Sequence, residues 1–128
     1  MTDSLIEAAR AVQQRAYAPY SHFRVGCALE AEDGRVFVGC NVENASYGLT
    51  ICAERAAVSA AVAAGAQRFR RAVVVSDADP PAAPCGACRQ VLSEFGRDLR
   101  VDGVSPAGTV SWTIAELLPS AFGKEQLA

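Results

Sequence analysis

The sequence predicts an α/β protein, a three-layer α/β/α sandwich built on a mixed sheet of about five strands. The predicted order of elements is helix, hairpin, helix, strand, helix, which places helices on both faces of a sheet. The continuous apolar run over residues 73–75 is typical of a strand that is buried on both faces. The chain has 128 residues, 51% of them hydrophobic, so we expect one core and a single domain over residues 1–128.

The N-terminal stretch predicts a first helix over residues 3–17. Ser4 and Glu7 have the spacing of a capping box at its start. Apolar residues then follow at helical spacing, namely Leu5, Ala9, Val12 and Ala16. Pro19 ends the predicted helix, because a proline cannot continue the backbone hydrogen bonds. We interpret the apolar face of this helix as part of the core.

Two short strands follow the first helix. Apolar residues alternate along both, first at Val25, Cys27 and Leu29 and then at Val36 and Val38. The Asp33-Gly34 pair between them favours a tight turn, so we predict an antiparallel hairpin. We interpret Cys27 as a small buried hydrophobic residue of this hairpin. Cys40 is interpreted in the same way, and not as a metal ligand.

Composition and turn residues place the remaining elements. They are an Ala-rich helix over residues 51–64, the strand at 73–75, a helix from residue 84 or 85 to 96, strands at 99–101 and 109–112, and a short helix before residue 119. Gly65 ends the Ala-rich helix. Thr113 and Glu116 have the spacing of a capping box for the last helix.

Two motifs carry the reactive side chains. Cys52 and Glu54 lie at the predicted start of the Ala-rich helix, and Cys85 and Cys88 lie at the predicted start of the next one. Thiolates suit zinc, and Cys85 and Cys88 have the spacing of half a zinc site. A structural site would need a fourth protein ligand, but the only histidine, His22, lies in a different sequence context. Three ligands leave one position for water, and Glu54 is placed to handle the protons of that water.

The two motifs, Cys52-Ala53-Glu54-Arg55 and Pro84-Cys85-Gly86-Ala87-Cys88-Arg89-Gln90, resemble those of the zinc-dependent cytidine deaminases in their small three-Cys form. Residues 19–21, 23–26, 39–48 and 117–122 are similar to the same family, so the resemblance covers nearly the whole chain. It implies a cytidine deaminase-like fold and one Zn²⁺ per subunit. It also implies a homotetramer with shared active sites, in which cytidine and 2′-deoxycytidine are hydrolysed to uridine and 2′-deoxyuridine with release of ammonia.

The resemblance also implies the roles of the chemical groups. Cys52, Cys85 and Cys88 would bind the zinc ion, and zinc-activated water would attack C4 of the pyrimidine while Glu54 carries the protons. Arg55 would donate hydrogen bonds to the thiolates and offset their surplus negative charge, a role we assign more weakly to the arginine that follows Cys88.

Six further residues are expected to contact the substrate. The resemblance implies that Asn41 and Glu43 hold the ribose hydroxyls, and the charge of Glu43 would repel a phosphate at the same place. Phe23 would pack beside the pyrimidine, and the backbone around Ala53 would contact the base. Phe122 would reach the site of a neighbouring subunit, and Tyr47 is a similar candidate from a loop.

Composition limits the other partners. The net charge of −2 argues against a nucleic-acid partner, which would call for a basic surface. No apolar stretch reaches the roughly 20 residues that a membrane span requires. The five cysteines do not resemble a disulfide framework. We therefore expect a cytoplasmic protein, since oxidation would destroy a thiolate site.

Three alternative functions remain open from the sequence. The first is a deaminase of the same fold that acts on a modified cytosine nucleoside. The second is a non-catalytic structural zinc module, which lacks its fourth ligand here. The third is a thiol redox protein that uses the Cys-x-x-Cys segment at residues 85–88, and this would leave Cys52 and Glu54 without a role.

Overall fold

The computed structural model describes residues 3–127. In chain order the elements are α1 (Ser4–Gln13), β1 (Gly26–Ala31), β2 (Val36–Cys40), a 3₁₀ turn (Tyr47–Leu49), α2 (Ala53–Ala63), β3 (Phe69–Val75), α3 (Gly86–Ser93), β4 (Arg100–Ser105), β5 (Gly108–Thr113), α4 (Ile114–Leu117) and a second 3₁₀ turn (Lys124–Leu127). Within residues 3–127, none of the helices has the length and apolar character that crossing a bilayer demands.

The five strands form one mixed sheet in the order β2-β1-β3-β4-β5. β3 and β4 run parallel to each other, and the other neighbouring pairs are antiparallel. The predicted hairpin is confirmed as β1 and β2. Its turn contains Gly34 with a φ of 94°, a left-handed conformation that favours glycine. The predicted number of strands is confirmed as well.

The two faces of the sheet bury separate sets of side chains. Val73 and Val75 point to the face covered by α1, where they join Leu5 and Ala9. Val74 points to the opposite face, into a core that includes residues of α2, α3 and α4. This follows from the alternation of side chains along a strand. The predicted three layers and the strand buried on both faces are therefore confirmed.

Both ends of α1 differ from the prediction. Asp3 caps the helix, because its carboxylate accepts hydrogen bonds from two backbone N–H groups of the first turn at 3.1 and 3.3 Å. The predicted capping box of Ser4 and Glu7 was wrong, since Ser4 already belongs to the helix. The helix ends at Gln13, not at residue 17.

The early end of α1 is explained by the backbone of Tyr17. Its N–H donates to the carbonyl of Asn41 at 3.0 Å, and its carbonyl accepts from the N–H of Glu43 at 2.8 Å. Peptide groups paired in this way cannot also make helical hydrogen bonds. The pairing joins the segment after α1 to the segment after β2, and residues of both segments line the pocket described below.

Long-range pairing sets several other boundaries. β3 begins earlier and β4 ends later than predicted, because their parallel ladder includes Arg71 and Asp102, two polar residues that the apolar pattern leaves out. α3 begins at Gly86, with Cys85 as its N-cap. Gly65 follows α2 with a φ of 91°, and the capping box of α4 is present as predicted.

A charged network ties α1 to the centre of the sheet. Asp102 of β4 is 0% exposed, and it accepts hydrogen bonds from Arg71 at 2.7 Å and from Arg100 at 2.9 Å. Arg71 also pairs with Asp3 at 2.8 Å. Burial alone would raise the pKa of Asp102, but hydrogen bonds from Ser111, Arg100 and Arg71 outweigh it and hold that pKa below its usual value.

We expect Asp102→Asn to lower the free energy of unfolding by about 3 kcal/mol at neutral pH, near the lower end for a broken buried ion pair. A carboxyl group whose pKa is lowered by folding stabilises the fold above its unfolded-state pKa of about 3.9, and this contribution is lost as the pH falls through the folded-state value. The gap between wild type and variant should therefore shrink on acidification. Urea unfolding of wild type and variant at several pH values measures this difference in the free energy of unfolding. Asp33→Asn, which breaks an exposed pair with Arg35, should have a much smaller effect on the free energy of unfolding; an equal cost at both positions would contradict the prediction.

Candidate active site

Three thiols meet where the starts of two helices converge. Cys52 is the N-cap of α2, Cys85 is the N-cap of α3, and Cys88 lies in the first turn of α3. The sulfur of Cys85 lies 3.8 Å from that of Cys52 and 3.5 Å from that of Cys88, and all three lie within 4.8 Å of one another. Because a helix N-terminus stabilises negative charge, this placement favours thiolates.

The cluster fits a zinc ion. Zn–S bonds of about 2.3 Å at tetrahedral angles separate two sulfurs by about 3.8 Å, and the measured separations agree. The donor set is also soft, as zinc sites often are. Cys27 and Cys40 lie outside the cluster, as predicted. Cys27 is buried, as predicted. Cys40 was also expected to be buried, but it is only half-buried.

The three thiols are electrostatically coupled. A hydrogen bond from Cys88 lowers the pKa of Cys52 to about 5, with further help from Arg55 and Cys85 and against the effect of burial. The pKa of Cys88 is raised, first by that same hydrogen bond to Cys52, then by burial and by the charge of Glu54. These shifts come from groups close around the sulfurs, and a bound cation would favour the thiolate form that metal ligands require.

Glu54 is buried beside the thiols. It lies in the first turn of α2 and is only 5% exposed. Burial raises the pKa of Glu54, and the nearby Cys52 raises it further. The pKa of the Cys27 thiol is raised as well, first by its own burial and then by the nearby charge of Glu54. A desolvated carboxyl group with a raised pKa is suited to accept a proton and release it again.

The guanidinium of Arg55 points back to the thiols. Its Nη2 donates to the sulfur of Cys52 at 3.5 Å and to the carbonyl of Thr50 at 3.2 Å. The hydrogen bond to Cys52 raises the pKa of Arg55 and keeps it charged. Its buried Nε has no hydrogen-bond partner within the part of the chain that the structure describes. The structure therefore places the positive charge of Arg55 at the sulfur of Cys52.

Arg89 has different contacts from those expected. Its Nε donates to the carbonyl of Pro84 at 2.8 Å, and its Nη1 donates to the carbonyl of Leu117 at 2.9 Å. Its link to the cluster is therefore through the backbone just before Cys85, in place of the expected weak contact with a thiolate.

A pocket opens beside the cluster. Its lining is mostly apolar with a few polar groups, the usual character of a small-molecule site. The lining residues are Phe23, Val25, Asn41, Thr50, Cys52, Ala53, Glu54, Val74, Ala82, Ala83 and Cys85. The structure thus brings the predicted Phe23, Asn41 and Ala53 to the reactive groups. The remaining lining residues (Val25, Thr50, Val74, Ala82 and Ala83) were missed, although Ala83 directly precedes the second motif and Thr50 lies two residues before the first.

Asn41 holds the wall of this pocket. Its Oδ1 accepts from the N–H of Val25 at 2.9 Å, and its Nδ2 donates to the carbonyl of Phe23 at 2.8 Å. The side chain is buried. An amide group has two donors and two acceptor positions, so each end of Asn41 keeps one for a ligand.

Glu43 and Tyr47 lie in an adjoining groove. The groove is lined by Tyr20, Ser21, Glu43, Tyr47 and Thr50, and Thr50 also lines the pocket. The carboxylate of Glu43 accepts from the N–H groups of Tyr20 at 3.0 Å and Ser21 at 3.1 Å, and from the Ser21 hydroxyl. These bonds, led by the Ser21 hydroxyl, lower the pKa of Glu43. Of about four acceptor positions on a carboxylate, one remains.

Phe122 does not line the pocket of its own chain. It is 58% exposed and lines a different cavity with Glu94, Arg97 and Lys124. Within one chain, the structure therefore does not bring Phe122 to the reactive groups.

The fold and the site together define an α/β protein with a zinc site built from three cysteines. Residues 1–101 match the family model for the cytidine and deoxycytidylate deaminase zinc-binding region, and the chain belongs to this family. The sequence resemblance is thereby confirmed, as is the zinc cofactor.

Curated relatives and solved structures agree with this assignment. The chain is 45% identical to cytidine deaminase from Sporosarcina psychrophila, over 98% of this chain and 94% of that protein. It is 50% identical to a probable cytidine deaminase from Dictyostelium discoideum, over 98% of this chain and 86% of that protein. The crystal structure of cytidine deaminase from Burkholderia pseudomallei superposes with a TM-score of 0.90 at 51% identity, covering 95% of this chain and all of that one.

Proposed function

We propose that this protein hydrolyses cytidine and 2′-deoxycytidine to uridine and 2′-deoxyuridine, with release of ammonia, as a step of pyrimidine salvage. The observation that carries the proposal is the buried Glu54 beside three clustered thiols, on the wall of a mostly apolar pocket. The proteins to which the chain is similar are named as cytidine deaminases.

Cys52, Cys85 and Cys88 hold the zinc ion, one per subunit. When bound, zinc acidifies a water ligand, whose pKa falls to about 7 in the best cases. Glu54 accepts the proton of the attacking water and delivers it to N3 of the pyrimidine while C4 becomes tetrahedral. Glu54 then takes the proton of the hydroxyl group now on C4 and passes it to the amino group; the C4–N bond breaks, the C4 carbonyl forms, and ammonia leaves while N3 keeps its proton. The burial of Glu54 supports this role, because a single carboxyl group must both take and give protons.

The substrate is positioned by the pocket and the adjoining groove. Phe23 packs beside the pyrimidine and the backbone at Ala53 contacts the base, while Asn41 and Glu43 bind ribose hydroxyls through their free hydrogen-bonding positions. The negative charge of Glu43 disfavours a phosphate close by, so nucleosides are preferred to nucleotides.

The assembly completes the site. We propose a cytoplasmic homotetramer in which Phe122, with Tyr47 as a further candidate, reaches the active site of another copy of this chain. The exposure of both rings supports this arrangement, since neither is buried within one chain. Free thiols at the metal site support a reducing compartment.

The direct test is ammonia release from cytidine by the zinc-loaded protein, with uridine identified as the product. Turnover on cytidine, with much lower kcat/KM on cytidine 5′-monophosphate, is the expected result. No turnover on cytidine by the folded, zinc-loaded protein would overturn the proposed substrate. In that case turnover on a modified cytosine nucleoside would assign the same chemistry to a different natural substrate.

We expect Arg55→Ala to reduce kcat/KM about 10- to 100-fold while most of the zinc is retained. The reason is that groups contacting metal ligands typically have effects of this size, and the positive charge of Arg55 offsets the surplus negative charge of the thiolates. Zinc content by atomic emission and turnover on cytidine are measured on the same sample. Arg68→Ala removes an exposed arginine far from the cluster and serves as the control. Full turnover in Arg55→Ala would show that this charge does not contribute.

A further inference from the structure

Three side chains from α3 and the turn after it hold the end of α4 and the segment that follows α4. Each donates to a backbone carbonyl: Arg89 to Leu117 at 2.9 Å, Gln90 to Phe122 at 2.8 Å, and Arg97 to Pro119 at 3.0 Å. An ion pair between Lys124 and Glu94, 3.5 Å long, lies just beyond them. Most of this segment forms no regular element, as residues 118–123 belong to neither a helix nor a strand. Side chains of α3 and of the turn after it therefore hold a stretch of backbone that lacks the regular hydrogen bonds of a helix or strand.

The ring at the end of this fastened segment is not buried. The carbonyl of Phe122 is held by Gln90, yet its side chain is 58% exposed. Burial of a phenylalanine ring is favourable, so an exposed ring on a held backbone is available to be buried by something outside the chain. The backbone contacts reduce the entropy that the ring would lose when it docks there.

The same helix also carries the metal ligands. Cys85 caps α3, Cys88 lies in its first turn, and Arg89 joins the carbonyl of Pro84, next to Cys85, to the carbonyl of Leu117. α3 thus connects the zinc site of one chain to the segment that presents Phe122.

From these contacts we infer that Gln90, assisted by Arg97, is a positioning residue that orients Phe122 for contact with the nucleoside bound to a second copy of the chain. This rests on the proposed role of Phe122 in completing a neighbouring active site. Gln90 touches neither substrate nor metal. It acts by keeping the C-terminal segment in the conformation that presents the ring, so its effect falls on substrate binding and leaves the proton transfers by Glu54 unchanged.

The test variant is Gln90→Leu, which removes the donor at similar size. A net hydrogen bond of about 1 kcal/mol corresponds to about a fivefold effect, so KM for cytidine should rise about fivefold with kcat within about twofold. Zinc content should stay the same. Backbone amides of residues 120–127 should exchange hydrogen faster in the zinc-loaded variant than in the zinc-loaded wild type. Gln90→Lys keeps a donor and should recover most of the lost affinity. Gln67→Leu, an exposed glutamine on another surface, is the matched control.

A double-mutant cycle separates positioning from a general structural effect. In a Phe122→Ala background, Gln90→Leu should have no further effect on KM, because the ring that it positions is gone. An equal rise in KM in both backgrounds would overturn the inference, and so would a wild-type KM in Gln90→Leu when Phe122→Ala is impaired. If Phe122→Ala has a normal KM for cytidine, the proposed role of Phe122 is wrong and the inference about Gln90 is wrong with it. The proposal that Glu54 and the zinc site carry out deamination is not affected by this result.

Discussion

Replacing Glu54 by alanine is expected to reduce kcat/KM for cytidine by about 10⁴-fold or more while the protein keeps one zinc ion per subunit. General acid–base catalysis is typically worth about 10²–10⁴-fold, and here one carboxyl group serves several proton transfers. Because Glu54 is not a metal ligand in the three-thiol cluster, its removal should leave zinc binding intact. Ammonia release and zinc content are measured on the same preparation.

Glu54→Gln is the matched control for shape. The amide fills the same buried space but neither accepts nor delivers the proton. The glutamine variant should therefore lose as much turnover as the alanine variant, within about tenfold. The folded state can be monitored through the free energy of unfolding, which should change little in the glutamine variant. Near-normal turnover in either variant would exclude Glu54 from the mechanism.

Replacing Cys85 by serine is expected to remove both zinc and activity. Thiolate ligands supply most of the binding free energy of such a site, and even changes at groups that only contact the ligands cost about 10- to 100-fold in metal affinity. We therefore expect the zinc affinity to fall by more than about 100-fold, and deamination to become undetectable in the purified variant. Competition with a zinc chelator measures the affinity directly.

Cys40→Ser is the control for this prediction. Cys40 is a half-buried thiol at the end of β2, outside the cluster of Cys52, Cys85 and Cys88. It should retain zinc and turnover. Loss of zinc in Cys40→Ser would show that the site has a fourth thiol ligand, and the site would then be a closed, structural one.

Much of the site could be predicted because its reactive groups lie close together along the chain. Cys85 and Cys88 share the first turn of one helix, and Glu54 is two residues from Cys52, so local spacing is enough to bring these groups together. The apolar pattern likewise predicted the hairpin of β1 and β2 and the doubly buried strand, since side-chain periodicity depends on nearest neighbours only.

Several errors fall where distant segments meet. α1 ends at Gln13 because the backbone of Tyr17 pairs with Asn41 and Glu43, and no signal of this pairing is present in the helical pattern. The start of β3 could not be recognised for the same reason, because its partners lie in β1 and β4, which are distant along the chain.

The sequence by itself determined the α/β class, the helices that bear the cysteines, the soft donor set and the carboxyl group beside it, because each depends on residue types at short spacing. Only the tertiary structure decided that Glu43 binds the 20–21 backbone, that Arg89 holds Leu117, and that Phe122 does not line its own pocket. Each of these features depends on residues far apart in the chain, whose partners are selected by how the sheet and helices pack together.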